Sequence, residues 1–142
     1  MSGLQKKRLV LYADDDVEDI AFVREALKHG ANDIELITFA DASDLLKFSR
    51  MSARGGIFPC LVMLDINMPN LNGKEALFVL REIDGYSSIP AVLFTTSTMP
   101  SDVAFAERHG AELITKPLNA QQMDLIVDRL LQHCGNGVKN SD

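Results

Sequence analysis

The chain has 142 residues, 46% of them hydrophobic and 24% charged, which suits one globular domain with a proper core and leaves no room for a second. Its formal charge of −6, with basic residues scattered apart from "KKR" at 6–8, argues against nucleic acid as a partner, since phosphate backbones call for a basic stripe. No apolar run approaches the roughly 18 residues that span a bilayer, and the first carboxylates come too early for a secretory signal, so a cytoplasmic chain without membrane contact is expected.

Short apolar runs alternate with segments of helical period along the whole chain. The first run, "RLVLYA" (8–13), leads directly into "ADDDVED" (13–19), which crowds the carboxylates of Asp14, Asp15, Asp16, Glu18 and Asp19 together. A pair of like charges about 4 Å apart repels by on the order of 4 kcal/mol at an effective dielectric near 20, so something must offset them. Ile20, Val23 and Leu27 then share a helical face that ends at His29 and Gly30, where the glycine is free to turn left-handed. "IELITFA" (34–40) is mixed, as an edge strand should be, and Leu45 and Leu46 mark the second helix.

"CLVMLD" (60–65) and "AVLFTT" (91–96) are apolar at nearly every position, the mark of strands buried on both faces of a parallel sheet. Between them Ala76, Leu80 and Ile83 define a third helix, entered through "INMPNLNG", where Pro69 and Gly73 supply fixed and permissive backbone angles. A fourth helix, Ser101 to His109, has only a thin apolar stripe and is the one expected to move or to face a partner. The weaker strand "ELIT" (112–115) runs into Lys116 and Pro117, and Met123, Ile126, Val127, Leu130, Leu131 and Cys134 form the clearest helical face. His29, His109 and His133 sit at helix ends and read as capping or surface groups. Cys60 and Cys134, with neither CxxC spacing nor a disulfide framework, read as small buried hydrophobes in a reducing compartment.

Five strand-then-helix units with right-handed crossovers give an α/β fold, an open parallel sheet with helices on both sides. Ligands of such sheets collect beyond the carboxyl ends of the strands. Asp14 and Asp15 follow strand one, Asp65 ends strand three, Thr95 and Thr96 end strand four, and Lys116 follows strand five. Carboxylates in that number suit Mg²⁺, which takes oxygen ligands and offsets their repulsion. Asp14 and Asp15 are the two expected in the pocket, while Asp16, Glu18 and Asp19 are expected to cap and line the first helical turn.

"YADDD", "MLDINMPNLNG", "LFTTS" and "ITKP", in this order and at these strand ends, resemble the receiver domain of bacterial two-component response regulators over essentially the whole chain. The resemblance implies a doubly wound five-stranded sheet of order 2-1-3-4-5, the flavodoxin-like (βα)5 receiver fold. It implies that Asp65 accepts a phosphoryl group from a sensor histidine kinase or histidine phosphotransfer protein. Asp14, Asp15, Asp65 and the backbone carbonyl of Asn67 would hold Mg²⁺, with Asp16 as fallback for Asp15 because the triple aspartate leaves the register open by one residue. Thr95 would be the responding hydroxyl, with Thr96 as its rival, and Lys116 the charge partner, aimed inward by a cis bond at Pro117. Asn67 and Ser97 would flank the path of the hydrolytic water.

Two features depart from the pattern. Leu113 stands three residues before the lysine, where many receivers carry Tyr or Phe, so no aromatic rotamer switch is expected there. After a core of about 8–134 only the polar tail 135–142 follows, so a single receiver domain over 1–142 is expected to signal through protein contacts: a downstream target, a relay component or its own second copy. The loop "SARGGIFP" (52–59) resembles regulators paired with phytochrome-type kinases. The domain would not be an enzyme beyond its own phosphorylation and dephosphorylation. A degenerate scaffold and an aspartyl-nucleophile phosphohydrolase are the alternatives; Asn67 stands where the latter would place a second acid. A flavodoxin-like electron carrier would need a hydroxyl-rich phosphate loop where this chain has acids.

Overall fold

A computed structural model describes residues 7–96 and 98–135. Strands and helices alternate: β1 (Arg8–Ala13), α1 (Val17–Gly30), β2 (Ile34–Phe39), α2 (Ala42–Arg54), β3 (Leu61–Asp65), α3 (Gly73–Leu80), β4 (Ala91–Thr95), α4 (Pro100–Arg108), β5 (Ala111–Thr115) and α5 (Ala120–His133). All strand pairs are parallel and the sheet order is β2-β1-β3-β4-β5, as the resemblance implied. The mixed strand is indeed at an edge, while β3 and β4 are buried along their full length.

The period of two in a strand divides the core between the two faces of the sheet. Leu11, Ala13, Val62, Leu64, Ala91 and Leu93 pack under α2, α3 and α4. Val10, Tyr12, Leu61, Met63, Val92, Phe94 and Ile114 pack under α1 and α5. Helix starts follow local chemistry: Asp16, Asp41, Asn72 and Asn119 each accept backbone N–H bonds as N-caps, and Asn72 with Glu75 completes a capping box. Helix α4 lacks a side-chain cap and buries only Asp102 and Ala106, in keeping with its thin stripe.

Several expectations need correction. Helix α3 stops at Leu80, so Ile83 lies in the following turn, where its N–H bonds Leu80 O at 3.0 Å. The chain is held there by Arg81, whose guanidinium donates to four backbone carbonyls, of Tyr86, Ile89, His109 and Gly110. Gly110 is left-handed at φ +67°, but Gly30 is not; its role is close approach, since a Cβ there would lie 2.6 Å from the Val127 side chain on α5. Cys60 and Cys134 are disulfide-bonded, not free. Cys60 precedes β3 and Cys134 caps α5, two segments packed on the same sheet face, so their Cα atoms lie 4.7 Å apart, within bridging range. Their pairing removes the cysteine argument for a reducing compartment. No cis peptide bond occurs among the described residues, so Lys116–Pro117 is trans, the isomer favoured by about 0.5–1 kcal/mol for an X–Pro bond. No helix among them is long and apolar enough to cross a membrane.

The histidines make ordinary surface and end-of-helix contacts. His29 pairs with Glu25 one turn back, His109 stacks on Phe105 at 4.1 Å, and His133 meets Glu112 at 2.6 Å.

Candidate functional site: an acidic pocket at the strand ends

Four loops meet at the carboxyl edge of the sheet. Asp14 continues β1 and is completely buried, yet every oxygen is satisfied: Tyr12 Oη donates to Oδ2 at 2.6 Å, Lys116 Nζ to Oδ2 at 3.0 Å and the Asp16 N–H to Oδ1 at 2.9 Å. Asp15 is exposed at the rim. Asp65 ends β3 with 3% of its surface exposed and accepts the Asn67 N–H at 3.0 Å. One carboxylate oxygen from each of Asp14, Asp15 and Asp65 fits within a span of 4.8 Å.

Asp16 is turned to the helix instead, accepting the N–H groups of Glu18 and Asp19, so the register favours Asp15 over its fallback. Three carboxylate oxygens at this spacing, one set open to solvent, suit an octahedral Mg²⁺ that keeps several waters.

Lys116 supplies the positive charge inside the protein. Its Nζ lies 3.3 Å from Asp65 Oδ2, 3.0 Å from Asp14 Oδ2 and 2.7 Å from Asp19 Oδ2. The expected inward aim of the ammonium is therefore met with a trans Pro117, because the Lys116 N–H bonds Thr95 O at 2.7 Å and fixes the chain alongside β4. Asp19 was expected only to line the helical turn; it is also a lysine partner, and nothing local in the sequence signals a contact across 97 positions.

The electrostatics follow from the crowding. Burial, and then the neighbouring charge of Asp14, push the Asp65 carboxyl up to about 6, against the Asn67 N–H and the Lys116 charge, which favour ionisation. Burial alone would pull the Lys116 ammonium down, but its hydrogen bonds to Asp19 and Asp14 and the charges of Asp14 and Asp65 outweigh it and raise its pKa. Burial first, and then Asp14, push the Tyr12 phenol well above its ordinary range, so it stays a donor.

Thr95, the last residue of β4, is buried, and Thr96 beyond it is exposed. Asn67 is exposed in the loop after β3, and Ser97 lies outside the described residues. Gly73 allows the turn back over Asp65: a Cβ there would meet the Asp65 carbonyl oxygen at 2.5 Å. Leu113 packs against the core beneath α2, α3 and α4, with no ring to rotate.

The profile of the response regulator receiver domain family matches residues 10–128. The chain belongs to that family. Receivers are signalling modules, and the relatives of this one include the response regulator Rcp1 of Synechocystis sp., 30% identical over 119 residues that make up 82% of this chain and 81% of Rcp1. A crystal structure of Rcp1 in its Mn²⁺-bound form superposes with a TM-score of 0.77 at 25% identity, covering 95% of this receiver and 99% of that chain. The phosphorylated cyanobacterial phytochrome response regulator RcpA shares the fold with a TM-score of 0.80 at 24% identity, over 94% of this chain and 97% of that one. The sensor histidine kinase CheAY of Helicobacter pylori matches 87% of this receiver at 26% identity, and the match spans 15% of the kinase's length.

Proposed function

We propose that this receiver, as a single domain, accepts a phosphoryl group on Asp65 from a histidine kinase or histidine phosphotransfer protein and passes the signal on by protein contact. The observation that carries the reading is the meeting of three carboxylates within 4.8 Å beside one lysine held by Asp14, Asp19 and Asp65. Such crowding costs stability and is explained by chemistry that needs it.

In the transfer, an Asp65 carboxylate oxygen attacks phosphorus in line with the leaving imidazole of a phosphohistidine. An O–P bond forms as the P–N bond breaks, and the departing imidazole takes up a proton from solvent. A carboxylate is a weak nucleophile toward an anion, so the equatorial phosphoryl oxygens need positive charge around them. Lys116, between Asp14 and Asp65, is placed to give it. Mg²⁺, when held by Asp14, Asp15, Asp65 and the Asn67 carbonyl, supplies the remaining charge neutralisation. Asp14 stays fixed by Tyr12 and Lys116, and Thr95 at the end of β4 is the hydroxyl that answers the new anion, drawing the loop before α4. Self-phosphorylation from a small donor and self-hydrolysis are the chemical activities this reading assigns to it. The likeness to the bacteriophytochrome response regulator RtBRR, 25% identical with a TM-score of 0.74 over 96% of this chain, supports a partner kinase of the phytochrome type.

Incubation with Mg²⁺ and acetyl phosphate, followed by intact mass, is expected to show one added phosphoryl group in the wild type and none in Asp65→Asn. A wild type that gains nothing overturns the proposal in favour of a phosphorylation-independent scaffold. Turnover of assorted phosphomonoesters would overturn it in favour of a phosphohydrolase.

A further inference from the structure

We infer that Asp19 is a positioning residue for Lys116, holding the ammonium off the nucleophile until a phosphoryl group arrives. The inference rests on the reading of Asp65 as phosphoryl acceptor and adds a residue to that machinery.

A lysine ammonium has three protons to place and here three carboxylates to receive them. Its contacts are unequal. Asp19 at 2.7 Å and Asp14 at 3.0 Å are hydrogen bonds, whereas Asp65 at 3.3 Å is an ion pair without one. Charge-assisted bonds between ammonium and carboxylate run at about 2.7–2.9 Å, so the closest and strongest of the three contacts is with Asp19, on the first turn of α1. The Lys116 side chain is 13% exposed and the Asp19 side chain 34%, so the pair sits at the wall of the pocket where solvent screens it only in part.

The arrangement has a chemical consequence. A lysine bonded tightly to the Asp65 oxygen would neutralise the very atom that must attack phosphorus. With two hydrogen bonds to Asp14 and Asp19, Nζ stays 3.3 Å from Asp65 Oδ2, and the third proton, not bonded to Asp65, is left for an incoming phosphoryl oxygen. Removing the Asp19 leg lets the ammonium collapse onto the Asp14–Asp65 pair. The carbonyl of an asparagine at 19 would still accept a proton and keep most of the placement. The Asp19 carboxylate also rests at a helix N-terminus, where a negative charge is favoured, so the seat is set by α1 and not by the lysine.

Two readouts on the full chain test this. In EDTA, with ¹⁵N-labelled lysine, the Lys116 ammonium, bonded to Asp14 and Asp19, is expected to give a slowly exchanging NMR signal that Lys116→Ala identifies by its loss. That signal is expected to shift slightly in Asp19→Asn and to broaden or move strongly in Asp19→Ala; an unmoved signal in Asp19→Ala overturns the inference. In labelling with acetyl phosphate and Mg²⁺, Asp19→Ala is expected to slow the reaction roughly three- to tenfold and Asp19→Asn less, given the worth of a partly screened charged hydrogen bond. In a Lys116→Ala background the same substitution should cost nothing further. An equal loss in both backgrounds shows a merely structural role and also overturns the inference; where that background labels too slowly to measure, the ammonium signal alone decides. If the wild type takes no phosphoryl group the proposed function fails, while the NMR result still judges the Asp19–Lys116 contact.

Discussion

Replacing Asp65 by asparagine should make the protein more stable at neutral pH. In the folded chain its carboxyl is pushed from 3.8 up to about 6, chiefly by burial and then by Asp14. The fold therefore favours the neutral form: between these two values the folded state binds more protons than the unfolded one, and stability falls as pH rises through the window. Above about pH 6 the full cost is present, and a shift of about two units corresponds to about 3 kcal/mol. Asparagine keeps the shape and can accept the Asn67 N–H, now at 3.0 Å from the carboxylate, but carries no charge. Urea denaturation in EDTA should show Asp65→Asn more stable than the wild type by up to about 3 kcal/mol at pH 7, with the gain gone by about pH 4. Mg²⁺ should narrow the gap, because an ion bound only by the folded wild type stabilises it. A variant no more stable than the wild type at pH 7, or one with the same gain at pH 4, would refute the reasoning.

Lys74→Ala removes the ammonium 2.7 Å from Asp102, a carboxylate 8% exposed on α4, and should destabilise by about 1–3 kcal/mol in urea, with Asp102→Ala restoring part of the loss. Cys60→Ser opens a closed loop spanning 74 positions and should cost up to about 4.5 kcal/mol in the chain-entropy treatment, measured against the wild type without reductant. The wild type should also resist alkylation until it is reduced. Gly73→Ala would press a methyl group on the Asp65 carbonyl oxygen, and acetyl phosphate labelling of Asp65 should fall more than urea stability does.

Local periodicity made the architecture legible. The five strands lie within a residue or so of their expected bounds, because runs such as "LVML" and "AVLF" have no polar residue to place elsewhere. The meeting of Asp14, Asp15, Asp65 and Lys116 in a candidate site was legible for the same reason: strand ends are where apolar runs meet charge. What periodicity cannot carry is a pairing between distant segments. The Cys60–Cys134 bridge, the Lys74–Asp102 pair, the Arg81 bonds to four carbonyls and the Asp19–Lys116 contact all depend on how elements dock. The neighbours of Asp19 mark it as a residue of the first helical turn, and nothing beside it marks the lysine partner on the far side of the pocket. Ile83 kept the helical spacing while the backbone had already left the helix, since the spacing of three from Leu80 fits a turn of three residues as well.

The placement of the charges follows from the same parity that builds the core. In β1 the residues Val10 and Tyr12 face α1 and α5, and Asp14 is the next in that row. In β3 the row runs Leu61, Met63, Asp65, and after Ile114 of β5 it reaches Lys116. Tyr12 pairs with Met63, so the two rows reach their carboxylates at the same height. Thr95 falls in the opposite row, after Ala91 and Leu93, on the side of α2, α3 and α4. Asp14, Asp65 and Lys116 thus lie in the layer that holds α1, which is why Asp19 can reach Lys116, while the Thr95 hydroxyl lies in the layer that holds α4. Since a slip of one residue turns a strand's side chains to the opposite face, the apolar register of β1 and β3 fixes the pocket as firmly as it fixes the core.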